Sequence, residues 1–242
     1  MRIRLFTIPN LLTLMNLLCG SFAVVVALMY NDLTLAFWLI VAGIVFDFFD
    51  GFVARLLHSS SAIGVQLDSL ADVITSGLAP AAVLWQVCLQ TEPCWLPETW
   101  KLGYGVFVLA AFSALRLAKF NIDETQTVEF CGLSTPAGSL LCGSLGMLWQ
   151  QGAVALSSDG VLLIAVLTSL LLVSPIRMFA LKFHGFGWRG NEVRYLFLLA
   201  SIVLIIILRT YAIPVIIVLY IVVSAVRWLC MRSGNPDKAP KA

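Results

Sequence analysis

A chain of 242 residues has the length of one or two soluble domains, but 60% of its residues are hydrophobic and only 12% are charged, against about 25% charged in soluble domains. Its mean hydropathy of +0.97 indicates an integral membrane protein with no sizeable domain outside the bilayer. The net charge of +2, from 15 Lys and Arg against 13 Asp and Glu, is too balanced to favour a nucleic-acid partner.

Apolar runs separated by polar breaks predict an all-α fold, a polytopic membrane helix bundle of about eight transmembrane helices. In chain order, the predicted spans are Leu11–Met29, Leu33–Val53, Leu70–Leu89, Leu102–Phe120, Ala137–Ala155, Val161–Ala180, Val193–Leu208 and Tyr211–Cys230. Residues 1–232 are expected to form one membrane domain. The polar, Pro-containing segment 233–242 is expected to be a disordered tail.

The positive residues are distributed unevenly between the two sides of these spans. If the N-terminus is cytoplasmic, all of the 15 Lys and Arg except Lys101 and Arg209 fall on the cytoplasmic side. Lys and Arg favour the cytoplasmic side of membrane proteins. We therefore expect a multi-pass protein of a bacterial inner (plasma) membrane, with both termini on the cytoplasmic side.

The six cysteines are scattered along the chain without a CxxC pair. This spacing signals neither a zinc site nor a disulfide framework. Cys88 and Cys94 flank one short loop, and whether they pair depends on the compartment that the loop faces.

Four aspartates lie where the second predicted span ends and the third begins. Asp47 and Asp50 are three residues apart on one helix, and Asp68 and Asp72 are four apart on the next, so each pair projects from one face. An aspartate at the centre of a membrane costs about 2.5–3.5 kcal/mol, so the four must lie near the interface, pair with cations or bind metal. Arg55 alone cannot balance four carboxylates, whereas Mg²⁺ or Mn²⁺ suits an all-oxygen site.

Small residues and a guanidinium accompany the four acids. Gly51, Ala54 and Gly64 remove side-chain bulk beside them, and Arg55 offers a fork for phosphate oxygens, a combination that suggests a diphosphate ligand. Two other interpretations remain open. Each acid caps a helix or pairs with Arg55 without further function, or the acids line a cation pathway in a transporter.

The same stretch resembles the signature of the CDP-alcohol phosphatidyltransferase family, which reads here Asp47-x2-Asp50-Gly51-x2-Ala54-Arg55-x8-Gly64-x3-Asp68-x3-Asp72. The resemblance implies an enzyme that transfers a phosphatidyl or phosphoalcohol group from a CDP-linked donor to an alcohol, releasing CMP. It implies that the first three acids bind one or two divalent metal ions. It also implies that Asp72 is the catalytic base and a ligand of any second metal, and that CDP-diacylglycerol is bound by Gly51, Ala54, Arg55 and Gly64.

Two further segments resemble the phosphatidylserine synthase branch of this family. They read ALRLAKFN over 114–121 and FCGLSTPAG over 130–138. Lys119 stands where the branch has Arg or Lys, and Ser134 replaces a proline that the branch usually has. The branch implies that the acceptor alcohol is L-serine.

Serine is a zwitterion, so its site needs a cation for the carboxylate. Arg116 and Lys119, three residues apart on one helix face, are candidates for this role. The alternative is that they are ordinary positive residues at the cytoplasmic end of a helix. Asn121 belongs either to the serine site or to a helix C-cap.

The resemblance thus implies a membrane enzyme of phospholipid biosynthesis that converts CDP-diacylglycerol and L-serine into phosphatidylserine and CMP at the cytoplasmic face, with Mg²⁺ or Mn²⁺ as cofactor. Another acceptor, glycerol phosphate or inositol phosphate, remains an alternative within the family. A carboxylate-lined cation transporter is the alternative from a different class. A homodimer is one possible assembly.

Overall fold

The computed structural model describes residues 5–59, 61–95, 99–122, 130–179 and 191–234. These residues are mostly helical, as predicted. The helices are α1 (Ile8–Tyr30), α2 (Leu33–Leu56), α3 (Ala62–Gln90), α4 (Val108–Ile122), α5 (Thr135–Gln150), α6 (Ser158–Val173), α7 (Glu192–Leu208) and α8 (Ala212–Gly234). The 3₁₀ segment Thr99–Phe107 precedes α4 directly, and the short strands β1 (Phe130–Cys131) and β2 (Arg177–Met178) pair antiparallel.

Several helical stretches have the length and apolar character that a membrane span requires. Within the described ranges there are five: Ile8–Tyr30, Leu33–Leu56, Ala62–Gln90, Gly103–Ile122 and Glu192–Cys230. The last stretch contains α7 and α8, which are separated at Arg209, a residue with a φ of +51°. The all-α membrane architecture is therefore supported, while the count of about eight spans stays a prediction.

Two helix boundaries differ most from the predicted spans, and local chemistry explains both. α3 begins at Ala62 because the Ser61 hydroxyl accepts a hydrogen bond from Gly64 N at 3.1 Å and caps the helix. α6 ends at Val173 because Pro175 follows and disfavours helical backbone in the residue before it. At the end of the chain, α8 reaches Gly234, and the rest of the predicted tail, 235–242, lies outside the described residues.

Small residues allow the helices to approach one another closely. A Cβ on Gly146 of α5 would lie 2.2 Å from Val83 Cγ1 of α3. A Cβ on Gly143, one turn earlier in α5, would lie 3.1 Å from the ring of Phe37 in α2. Because apolar side chains gain little from avoiding lipid, such close backbone contacts are a main source of helix association in membranes.

One end of the bundle is held by a group of side chains that we call the amide cluster: Asn31, Thr34, Gln90 and Gln150. Asn31 Nδ2 donates to Gln90 Oε1 at 3.2 Å, and Gln90 Nε2 donates back to Asn31 Oδ1 at 2.8 Å. Gln150 Oε1 accepts from Thr34 N at 2.9 Å, and its Nε2 donates to Asn31 O. The cluster ties the turn between α1 and α2 to the ends of α3 and α5.

The loop after α3 is fixed at the same end by Asp159 in the first turn of α6. Its Oδ2 accepts from Cys94 N at 3.1 Å and from Trp95 N at 2.7 Å. A hydrogen bond with the Ser157 hydroxyl and these backbone N–H groups lower the pKa of Asp159 to about 2. Cys88 and Cys94, at the two ends of this loop, are both free thiols.

Candidate functional site

The other end of the bundle carries three carboxylates that we call the acid cluster: Asp47, Asp50 and Asp68. α2 continues to Leu56, a short turn follows, and α3 starts at Ala62, so the two helices form a hairpin with the acids between them. One carboxylate oxygen from each acid lies within 4.8 Å of the other two. Asp50 is 6% exposed, while Asp47 and Asp68 are half-buried.

The acid cluster fits a divalent cation in both spacing and chemistry. Mg²⁺ binds oxygen ligands at about 2.1 Å, which places opposite ligands about 4 Å apart, so oxygens that lie within 4.8 Å of one another need to move little to share one ion. Asp68 Oδ1 is buried and has no hydrogen-bond partner within the described part of the chain. A buried carboxylate oxygen without a partner is costly unless a cation binds it. The structure therefore brings together three of the four acids that the sequence singled out, in an arrangement that suits a hard metal ion.

Asp72 lies one turn beyond Asp68 on α3 and is 8% exposed. A π-helical segment, Val73–Leu78, follows it directly. Within that segment, Thr75 Oγ1 donates to the backbone oxygen of Asn16 on α1 at 2.9 Å. A Cβ on Gly20 of α1 would lie 2.6 Å from Thr75 Cα, so α1 and the π-helical segment are in direct backbone contact behind Asp72.

Two polar residues of α1 reach the acids, and the sequence reasoning missed both. Thr13 Oγ1 donates to Asp50 Oδ2 at 2.5 Å, and Asn16 Nδ2 donates to Asp72 Oδ1 at 3.3 Å. Thr13 is 3% exposed and Asn16 is fully buried. A signal was present in the sequence, since Asn10, Thr13 and Asn16 recur every three residues in an otherwise apolar helix and so share one face.

A cleft of about 440 Å³ opens beside the acid cluster. It is lined by Pro9, Asn10, Thr13, Asp47, Phe48, Asp50, Gly51, Ala54, Arg55, Ser59, Ser61, Gly64, Val65 and Asp68. This set contains all four residues that the family resemblance assigns to CDP-diacylglycerol.

Those four residues contribute to the cleft in different ways. A Cβ on Gly51 would meet no atom within 4 Å, so this glycine leaves open space beside the acids. A Cβ on Gly64 would lie 3.2 Å from Ser61 Oγ, so this glycine also accommodates the cap of α3. Arg55 is exposed, and its Nε donates to Gly51 O at 3.0 Å. Its terminal guanidinium nitrogens are therefore at the surface of the cleft.

The three residues predicted to bind serine lie near the acids to different degrees. Arg116 is half-buried, its Nη1 donates to Thr135 Oγ1 at 3.2 Å, and it lies close enough to Asp72 for the two charges to attract each other. Asn121 is exposed and donates from Nδ2 to Ser69 Oγ, at 2.8 Å, between Asp68 and Asp72 on α3. Lys119 is exposed. Arg116 is thus the member of the three whose charge interacts with that of Asp72.

Comparison with known proteins agrees with the resemblance seen in the motif. Residues 6–174 match the family model for CDP-alcohol phosphatidyltransferases. The CDP-diacylglycerol–serine O-phosphatidyltransferase of Bacillus subtilis is 32% identical over 178 residues, covering 74% of this chain and 93% of that protein. Proteins of the same name from Helicobacter pylori (30% identity, 93% of this chain and 92% of that protein) and Mycobacterium tuberculosis (33%, 99% and 86%) are also similar. The protein belongs to the CDP-alcohol phosphatidyltransferase family.

Proposed function

We propose that the protein transfers the phosphatidyl group of CDP-diacylglycerol to the hydroxyl of L-serine, giving phosphatidylserine and CMP in phospholipid biosynthesis. The observation that carries the proposal is the convergence of Asp47, Asp50 and Asp68 on the cleft that Arg55 and Gly51 line. Three relatives that carry the serine transferase name and align with most of this chain support serine as the acceptor.

In the proposed mechanism, Asp47, Asp50 and Asp68 are the residues that would hold Mg²⁺ or Mn²⁺. When bound, the metal neutralises charge on the diphosphate and on the departing CMP. Gly51, Ala54 and Gly64 leave room for the diphosphate, and Arg55 binds its oxygens.

Asp72 is the proposed base, and it also binds any second metal ion. It accepts the proton of the serine hydroxyl while the serine oxygen forms a bond to phosphorus and the bond from phosphorus to the CMP oxygen breaks. Its burial beside α1 keeps bulk water from competing for the same position.

If Asp72 has this role, Asp72→Asn lowers the rate of CMP release by about 10²–10⁴-fold, while CDP-diacylglycerol still binds. Unimpaired turnover by this variant would exclude Asp72 as the base.

The most informative experiment is CMP release by the purified protein with CDP-diacylglycerol, with and without serine. We expect release that depends on serine, that stops in EDTA and that returns with Mg²⁺ or Mn²⁺. Faster release with glycerol phosphate or inositol phosphate than with serine would assign a different acceptor. Ion flux in liposomes without any CMP release would support the transporter alternative.

Arg116 is the proposed ligand of the serine carboxylate, with Lys119 and Asn121 beside it. Arg116→Gln should raise the KM for serine at least tenfold and leave the KM for the lipid nearly unchanged, since the residue touches one substrate only. Lys119→Gln is the matched control, because Lys119 is exposed on the same helix face. An unchanged serine KM in both variants would indicate that Arg116 and Lys119 are ordinary positive residues at a helix end.

The proposal includes a topology in which the acid cluster, both termini and the turn after α2 face the cytoplasm of a bacterium, with about eight spans in one membrane domain, 1–232. In a background without other cysteines, a thiol introduced by His58→Cys should react with an impermeant reagent only from the cytoplasmic side. The native Cys94, which is exposed at the other end of the bundle, should react only from outside. The reverse pattern would show that the topology is the opposite one. The protein mass of the purified particle, after subtraction of bound detergent, would test the homodimer.

A further inference from the structure

Helix α1 holds one acid of each pair through a polar side chain on a single face. Thr13 contacts Asp50, the second acid of α2, and Asn16 contacts Asp72, the second acid of α3. The two donors are three residues apart, so one helix bridges both acid pairs. None of the roles derived above uses either residue.

The hydrogen bond of Thr13 departs from the usual behaviour of threonine in a membrane helix. Such a hydroxyl normally donates to the carbonyl four residues earlier, and Pro9 O does lie 3.1 Å away. The hydroxyl has a single proton, and the Asp50 oxygen is both nearer, at 2.5 Å, and a charged acceptor. The proton therefore goes to Asp50, and it leaves the remaining lone pairs of that carboxylate for a metal ion.

Asn16 is held in a place where an apolar side chain would be more stable. Its side chain is fully buried, and its Oδ1 has no hydrogen-bond partner among the residues that the structure describes. A buried amide with an unpaired oxygen disfavours folding, so packing alone does not account for this residue. Its Nδ2 donates to Asp72 Oδ1, which fixes the orientation of that carboxylate and leaves its other lone pairs free to accept a proton.

The position of Asn16 is fixed by contacts on two sides. Thr75 Oγ1 donates to its backbone oxygen at 2.9 Å. A Cβ on Gly43 of α2 would lie 2.9 Å from its side-chain oxygen, so only glycine fits opposite. A side chain held in this way fixes the direction of its hydrogen bond, which is what an orienting residue requires.

We infer that Thr13 and Asn16 are positioning residues: Thr13 orients Asp50 for metal binding, and Asn16 orients Asp72 for proton transfer from the acceptor. The inference rests on the proposed function. Residues that orient metal ligands in this way typically contribute 10–100-fold to metal affinity or activity.

Binding of Mn²⁺ to the purified full-length protein, followed by electron paramagnetic resonance, tests the role of Thr13 without relying on turnover. Thr13→Val keeps the shape and removes the hydroxyl, and it should raise the Kd for Mn²⁺ by about 10–100-fold. Thr13→Ser restores the hydroxyl and should restore the affinity. Ser21→Ala is the matched control, because Ser21 is on the same helix and its hydroxyl donates to Leu17 O, at 2.8 Å, rather than to an acid.

Asn16 has a different expected signature. Asn16→Leu, of similar volume, should lower the maximal rate of CMP release at least tenfold. The Mn²⁺ affinity of the acid cluster and the KM for the lipid should be unchanged. A fully active Asn16→Leu, or one that loses Mn²⁺ together with activity, overturns the role given to Asn16. Unchanged Mn²⁺ affinity in Thr13→Val, or in Thr13→Ala should the valine variant not assemble, overturns the role given to Thr13. If the wild type releases no CMP while Thr13→Val still weakens Mn²⁺ binding, the proposed function fails and the metal role of Thr13 stands.

Discussion

The two ends of the helix bundle both carry polar clusters, but they satisfy their polar groups in opposite ways. In the amide cluster, Asn31 and Gln90 donate to and accept from each other, and Gln150 adds bonds to the backbone. In the acid cluster, no described residue donates a hydrogen bond to the buried Asp68 Oδ1, and three carboxylates lie within reach of one ion. A polar group that is satisfied within the fold serves stability, whereas one that is left open at a cleft indicates a ligand.

The largest effect is expected when one acid of the acid cluster is removed, which tests directly whether the open end of the bundle binds a ligand. Asp50→Asn keeps the size of the side chain and removes a charged metal ligand, so CMP release should fall by at least about 10³-fold, a loss comparable to that of other strong electrostatic groups at reacting centres. The variant should still insert into membranes and purify as the wild type does. CMP release by this variant, measured at increasing Mn²⁺, checks the loss. Full activity of the wild type in the presence of EDTA would contradict the metal role altogether.

Two glycines near the acid cluster have different roles. Gly20 allows close helix packing, and Gly51 leaves space for the ligand. Gly20→Ala would place a Cβ 2.6 Å from Thr75 Cα, and overpacking of this kind costs about 1–3 kcal/mol. We expect a lower midpoint of thermal unfolding and a loss of activity, since the contact supports Asp72. Gly51→Ala meets no atom within 4 Å, so its midpoint should match the wild type while its KM for CDP-diacylglycerol rises. Equal midpoints for both variants would contradict this division.

At the other end, Gln150→Leu removes the hydrogen bonds to Thr34 and Asn31. These groups are near the surface and water replaces part of what is lost, so the free energy of unfolding should fall by only about 1 kcal/mol. Denaturation by detergent of the reconstituted protein measures this change. Initial rates below the unfolding temperature should stay at the wild-type level. A large loss of rate with intact folding would show that the amide cluster also takes part in function.

The smallest effect is expected at Asp159, and it depends on pH. Because its pKa is lowered from 3.8 to about 2 by the hydrogen bonds it accepts, the ionised form stabilises the folded state above about pH 4, and this contribution is lost as the pH falls towards 2. Wild type and Asp159→Asn should therefore differ in unfolding midpoint by a constant amount from pH 5 to 8, and the difference should shrink below pH 4. A difference that grows on acidification would contradict the assignment.

The sequence predicted features that depend on residues close together in the chain. Apolar runs indicated the helices, and the three- and four-residue spacings of Asp47, Asp50, Asp68 and Asp72 indicated paired acids on two successive helices. The structure places the first three of these acids around one point. Because a short turn joins the two helices, few other arrangements were open to this hairpin.

Contacts between distant parts of the chain could not be predicted in this way. Thr13 is 37 positions from Asp50, and Asn16 is 56 positions from Asp72. Which face of α1 meets which acids depends on helix rotation and crossing, which are set by packing against Gly20 and Gly43 rather than by local pattern. The difference between Arg116, which is half-buried and interacts electrostatically with Asp72, and Lys119, which is exposed, has the same origin.

The π-helical segment Val73–Leu78 has a consequence for how the protein tolerates change. A π-turn accommodates one more residue than an α-turn, and each residue of an α-helix turns the chain by about 100°. If the same residues formed an ordinary α-helix, Asp68 and Asp72 would be rotated by about that angle relative to Ala79–Gln90, the half of α3 that is packed in the core. The segment therefore sets the phase between the reactive half and the anchoring half of one helix. A variant with one residue removed from it could close the segment as an α-turn and would keep its carboxylates at the cleft, whereas one residue added to it would turn them away.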